Sequence, residues 1–280
     1  MLALERLATS DLQGALEDLQ AQVRKDPSEV KHRIFLFQLL AVLGDWERAI
    51  TQLNLVGEMD ALSLPMVQTY GQALQCEVLR SDVFAGERAP LVFGKPERWM
   101  ALLFEALRLT AKGDFQQSQE VRSEAFELAP ITSGKVGEES AECFEWIADA
   151  DSRLGPMLEA IIDGKYYWVP FQRIRNVTFE EPADLRDVVW TPAFFTWANG
   201  GESAGLIPTR YPGTESTGDS AMMLAHKTEW DDSGAGLFLG LGQRTLVTDR
   251  GEYPLMDVRN LILDADQETE PKDGSAEGVQ

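Results

Sequence analysis

From the N-terminus to about residue 130, apolar residues recur at three- and four-residue spacing. Leu12, Ala15, Leu16, Leu19 and Val23 form one stripe, and Ile34, Phe35, Leu39, Leu40 and Leu43 form another. This is the period of amphipathic helices that bury one face. After about residue 135 the pattern changes to short aromatic and β-branched runs. Strands are predicted over 166–170, 188–190, 237–241 and 244–248, following a helix over 138–150. Turns are predicted at Asn199-Gly200-Gly201, at Arg210-Tyr211-Pro212-Gly213, at 231–234 (DDSG) and at 249–252 (DRGE).

The helical part repeats. An offset of 34 residues, the tetratricopeptide period, places Asp11 on Asp45, Ala15 on Ala49, Leu16 on Ile50 and Leu19 on Leu53. Gly44-Asp45-Trp46 recurs as Gly113-Asp114-Phe115: glycine ends one helix, aspartate caps the next, and the aromatic fills the space between paired helices. Trp46 is therefore expected to pack between helices. Pro27 and Pro130 close two of the three units, while Ala61 stands at the equivalent place in the second. The segment 81–95 carries glycine and proline and no helical period, which predicts a loop interrupting the stack.

Five of the seven tryptophans (Trp146, Trp168, Trp190, Trp197 and Trp230) lie in the second half. Helices followed by strands, without alternation, predict an α+β chain and disfavour a doubly wound parallel sheet. The expected organisation is a tetratricopeptide-like α-superhelix over 1–133 and an α/β domain with a small antiparallel β-barrel over 134–265. The acidic stretch 266–280 has no periodicity and is predicted to be disordered. A stack of repeats leaves an elongated groove suited to holding a peptide or a helix.

Charge narrows the partners. With 25 basic and 46 acidic residues the net charge is -21, which opposes binding to phosphate backbones or anionic lipid. Neither a nucleic acid nor a membrane is an expected partner. No apolar run approaches the roughly 20 residues of a membrane span, and the opening segment lacks the pattern of a secretory signal. A soluble protein of the cytoplasm is expected, in keeping with only two cysteines.

Candidate chemistry is sparse. The glycine run 234–242 fits neither a dinucleotide fingerprint nor a Walker loop, and glycines within an apolar strand mark a bulge or a close backbone approach. His32 and His226 have no neighbouring cysteine or histidine at ligand spacing. Asp149 and Asp151 would project about 200° apart on a helix, where capping or pairing with Arg153 is the simpler role. Ser203, Ser220 and Cys143 lie in no nucleophile elbow. No catalytic residue, metal or cofactor is assigned. An enzyme using carboxylates near Asp149, Asp151 and Asp187 is the alternative to a binding protein.

What remains is an aromatic and basic set between 166 and 253. A small barrel needs most of these side chains for its core. The two turns, however, predict exposed anchors at Trp197, Arg210 and Tyr211, and arginine beside large aromatics suits partner binding.

A series of motifs in one order carries a family resemblance. It runs from Phe144-Glu145-Trp146 through Asp149, Asp151, Arg153 and Gly155-Pro156 to Tyr166-Tyr167-Trp168-Val169-Pro170-Phe171. It continues with Leu185-Arg186-Asp187, Trp190-Thr191-Pro192, Ile207-Pro208-Thr209-Arg210-Tyr211-Pro212-Gly213, Lys227-Thr228-Glu229-Trp230 and Gly240-Leu241-Gly242-Gln243-Arg244. Over 1–264 the chain resembles the ImpE/SciE family. The resemblance implies a cytoplasmic, non-catalytic adaptor of the bacterial type VI secretion system. It further implies binding to the N-terminal helix of the small subunit of the contractile sheath, and a functional link to ClpV, the ATPase that disassembles that sheath.

Overall fold

A computed structural model describes residues 2–137 and 141–265. The acidic stretch predicted to be disordered, 266–280, lies outside the described residues. The helices of the first half are α1 (Leu2–Ala8), α2 (Leu12–Lys25), α3 (Val30–Val42), α4 (Trp46–Met59), α5 (Leu64–Phe84), α6 (Arg98–Ala111) and α7 (Phe115–Leu128). Among the described residues no helix is long and apolar enough to cross a membrane.

The local chemistry behind these helices is that of the repeats. Asp11 caps α2 by accepting from Gly14 N at 2.9 Å, and Asp45 caps α4 by accepting from Arg48 N at 3.3 Å. Gly44, at φ +73°, supplies the left-handed residue that ends α3. Four residues past each capping aspartate stand Ala15, Ala49 and Ser118, all fully buried. Eight past stand Leu19 and Leu53, and then Arg122. The third unit therefore breaks the apolar pattern and sends a cation toward the second half, where Arg122 donates to Gly236 O at 3.1 Å.

The strands are β1 (Leu91–Val92), β2 (Gly134–Val136), β3 (Cys143–Phe144), β4 (Ile147–Asp149), β5 (Met157–Ile162), β6 (Lys165–Pro170), β7 (Ile174–Phe179), β8 (Trp190–Trp197) and β9 (Glu202–Pro208). After the single-turn helix α8 (Ser220–Met223) come β10 (Thr228–Asp232), β11 (Phe238–Gly242), β12 (Thr245–Thr248), β13 (Gly251–Pro254) and β14 (Asn260–Leu263). Nine strands make one sheet in the order β1-β6-β5-β9-β8-β7-β14-β2-β3, beside a β13-β12-β4 sheet and a β10-β11 hairpin. Only β1 pairs in parallel within the large sheet.

The predicted closed barrel is not formed. The large sheet is open, because its end strands β1 and β3 are two residues long and do not pair with each other. Side chains along the central strands alternate between two cores. Met157, Ile161, Tyr166 and Trp168 join the helices in one apolar cluster, whereas Leu158, Ala160, Ile162 and Val169 join a second cluster on the other face. A sheet that gives one face to helices cannot reserve its interior for itself.

Three local expectations also change. The helix predicted over 138–150 is replaced in its described part by β3 and β4, since pairing of Ile147 with Thr248 and of Asp149 with Leu246 overrides helical spacing. In the predicted loop 81–95, α5 continues to Phe84 and Leu91–Val92 then adds to the sheet edge alongside Tyr167 and Trp168. Trp46 is half-buried and lies 6.1 Å from the Trp190 ring of the sheet, so it packs toward the second half as well as between helices.

Candidate functional site

The junction of helices and sheet holds a set of fully paired buried charges. Its signal in the sequence is a polar residue on an apolar pattern: Glu77 and Arg80 lie on the buried face of α5, and Glu159 is the one charge in the buried strand β5. Arg80 donates from Nε to Glu159 Oε1 at 2.6 Å and from Nη2 to Glu159 Oε2 at 3.0 Å. It also reaches Arg210 O at 2.8 Å and Glu77 at 3.3 Å. Arg244 lies between Asp149 and Glu159 and pairs with both. Tyr166 donates its hydroxyl to Glu159 at 2.5 Å and receives the Trp168 indole N–H at 2.7 Å, while Trp190 donates to Glu77 at 2.8 Å.

Electrostatics follow from this arrangement. Burial works against charge on Glu159, but Arg80 and Arg244 outweigh it and hold the carboxyl down at about 2. At Asp149 burial prevails over Arg244, pushing the group up to about 6. Arg80 and Arg244 are raised because their carboxylate neighbours overcome desolvation.

The residues expected to bind a partner are inside the protein, which corrects the expectation of exposed anchors. Trp197 is buried in the second core, stacked on Phe195 at 4.8 Å and Phe93 at 4.1 Å, with its indole donating to Ser203 at 3.1 Å. Arg210 donates to Val42 O at 2.8 Å and Met223 O at 2.6 Å, so it caps the C-terminus of α3. Burial pushes Arg210 down to about 10, with Glu215 and Glu77 opposing. Tyr211 donates to Asp149 at 2.9 Å, and its ring lies so close to Gly240 that a Cβ there would sit 2.3 Å away. The close approach expected of the glycine run is therefore present. The turn chemistry of 210–213 was legible, but the carbonyls and carboxylate it serves come from segments far away in sequence.

The three carboxylates of the enzymatic alternative are likewise committed to internal partners. Asp149 is held as described. Asp151 pairs with Arg153 at 2.5 Å, as its spacing predicted, and accepts from Gly240 N at 2.8 Å. Asp187 accepts from Ala183 N and Asp184 N at 2.9 and 2.8 Å, closing a capping box at the turn Leu185–Val188. None of these carboxylates faces a space that would admit a substrate together with another of them. Among the described residues no group of three or more histidine, cysteine or acidic side chains is arranged to hold a metal.

The open surface is a different matter. A trough of about 600 Å³ lies between α5 and strands β8 and β9, lined by Met66, Tyr70, Phe194 and Leu206 among others. It meets a groove of about 460 Å³ over α1 and α3 at Ala183 and Asp184. A third, of about 350 Å³, gathers Phe126, Ile131 and Trp146.

An α+β scaffold whose family motifs are spent on a buried junction, with open troughs on its surface, defines a binding or accessory protein. The sequence profile of the family described as ImpE protein matches residues 141–262. The chain is 51% identical over 261 residues to the type VI secretion system accessory component TagJ of Pseudomonas aeruginosa, covering 93% of this chain and 90% of that one. The crystal structure of protein VPA1032 from Vibrio parahaemolyticus superposes with a TM-score of 0.86 at 25% identity, over 96% of this chain and 100% of that one. The chain belongs to the ImpE family.

Proposed function

We propose that this protein is a non-catalytic, cytoplasmic adaptor of the type VI secretion system. In this reading it binds the N-terminal helix of the small sheath subunit and assists the disassembly of the sheath by ClpV. The identity to TagJ across nearly the whole of both chains carries the reading. The geometry adds support, because the charged residues of the family motifs hold helices and sheet together and leave recognition to the open troughs. The helical half, read as a tetratricopeptide-like stack over 1–133, and the sheet half over 134–265 then act as one platform. Trp197, Arg210 and Tyr211 contribute by keeping that platform in shape.

Purification of the protein from its native cell, with identification of the co-purifying chains, tests the reading. The small sheath subunit is expected in stoichiometric amount, and its deletion of the N-terminal helix should abolish recovery. Recovery without the sheath subunit, or undiminished by that deletion, would reject the assignment.

A further inference from the structure

The trough between α5 and the sheet has a two-part chemistry. Its floor is apolar: Tyr70, Ile161 and Leu206 are buried beneath half-buried Met66 and the exposed ring of Phe194. Its rim is acidic: Asp163, Glu180, Glu181 and Asp184 are all exposed. Arg186 is the one base in the lining among the described residues, and it pairs with Asp184 while lying 4.6 Å over the Tyr70 ring. The cation is thus already committed, and Asp163, Glu180 and Glu181 keep an uncompensated negative field around an apolar bed.

We propose that this trough is the docking site for an amphipathic helix whose apolar stripe is flanked by lysine and arginine. An apolar bed takes up the stripe of a helix, and rim carboxylates fix its register and speed its arrival when the flanks are basic. The other two surfaces fit this occupant less well. The lining of the groove over α1 and α3 contains Lys31 and that over Phe126, Ile131 and Trp146 contains only the buried, arginine-paired Asp149 as a charge. The proposal rests on the adaptor reading only for the identity of the helix. The chemistry of the trough stands apart from it.

Three synthetic helices on the full-length protein separate the two: a leucine stripe with lysine flanks, the same stripe with glutamate flanks, and the N-terminal helix of the small sheath subunit. Wild type should bind the lysine-flanked helix and discriminate against the glutamate-flanked one. Phe194→Ala and Met66→Ala should weaken that binding by roughly tenfold or more, the loss typical of an interface anchor. Glu180→Lys combined with Glu181→Lys should weaken it and reduce its salt dependence, at an unchanged melting temperature because both side chains are exposed. Ile131→Ala and Trp146→Ala should bind as wild type. Equal binding of the two designed helices, or unaltered affinity in the trough variants, overturns the trough. If the sheath helix binds and ignores the trough variants, the trough falls and the partner assignment stands. If the lysine-flanked helix behaves as expected and the sheath helix does not bind, the trough stands and the partner assignment falls.

Discussion

Arg80 on α5 and Glu159 on β5 form a two-point ion pair at 2.6 and 3.0 Å, in which neither side chain has useful access to water. The pair joins the helical half to the sheet, and Arg244 approaches the same carboxylate from a third segment. Removing that carboxylate's charge leaves two buried guanidiniums short of a partner. Breaking a buried pair in this way costs about 3 to 5 kcal/mol, far above what an exposed pair contributes. Glu159→Gln is therefore expected to lower unfolding stability in urea by that amount, and a loss below about 1 kcal/mol would contradict the junction.

Acid titration should show two opposing effects in separate windows. Glu159 has a folded value of about 2 against an ordinary 4.5, so its contribution is complete above 4.5 and is lost as pH falls toward 2. Asp149 has a folded value of about 6 against an ordinary 3.8, so the native state takes up its proton first and gains stability as pH falls from 6 to 3.8. Each effect amounts to about 3 kcal/mol at roughly 1.4 kcal/mol per unit. Urea melts should find greater stability near pH 5 than at pH 7, then a decline below 4.5. Asp149→Asn should remove the gain, and a wild-type stability that falls steadily from pH 7 would refute the assignment.

How much of this could be read from the chain depends on the range of each interaction. The Asp11 and Asp45 caps were legible because donor and acceptor lie within one turn. Ala15 and Ala49 were legible because a repeat compares like with like. Asp149 was assigned to a helix because its partners, Arg244, Tyr211 and β12, are remote in sequence and no local spacing announces them. Arg210 and Tyr211 misled for the same reason: a turn-like tetrapeptide looks exposed until the α3 carbonyls and the Gly240 backbone arrive against it. Glu77, Arg80 and Glu159 left a weak signal, charges at apolar positions, which gains meaning only once the helix and strand are seen to face each other.

Gly240 gives a local test of that packing. A methyl group there would press into the buried Tyr211 ring, whose nearest carbon is 2.3 Å from the ideal Cβ position. Tyr211 cannot swing away without leaving Asp149, so the strain is not relieved cheaply. Gly240→Ala is expected to destabilise by about 1 to 3 kcal/mol, the range for overpacking a core. A neutral effect in thermal unfolding would show that the ring has room to move.

Arg210 supplies the last prediction, because its role as a helix cap differs from a role in partner binding by what each would change. Its guanidinium spans Val42 O, Met223 O and, at 3.4 Å, Ala41 O, and a lysine ammonium on a flexible stem cannot hold that planar arrangement. Arg210→Lys keeps the charge but leaves carbonyls at the end of α3 without a donor. The expected cost is about 1.5 to 3 kcal/mol, that of a lost hydrogen bond to a charged group. Amide exchange should accelerate at the C-terminal turn of α3 and around Met223 while α6 and α7 keep their protection. Native exchange at α3 together with weakened binding of the sheath helix would instead place Arg210 at the interface.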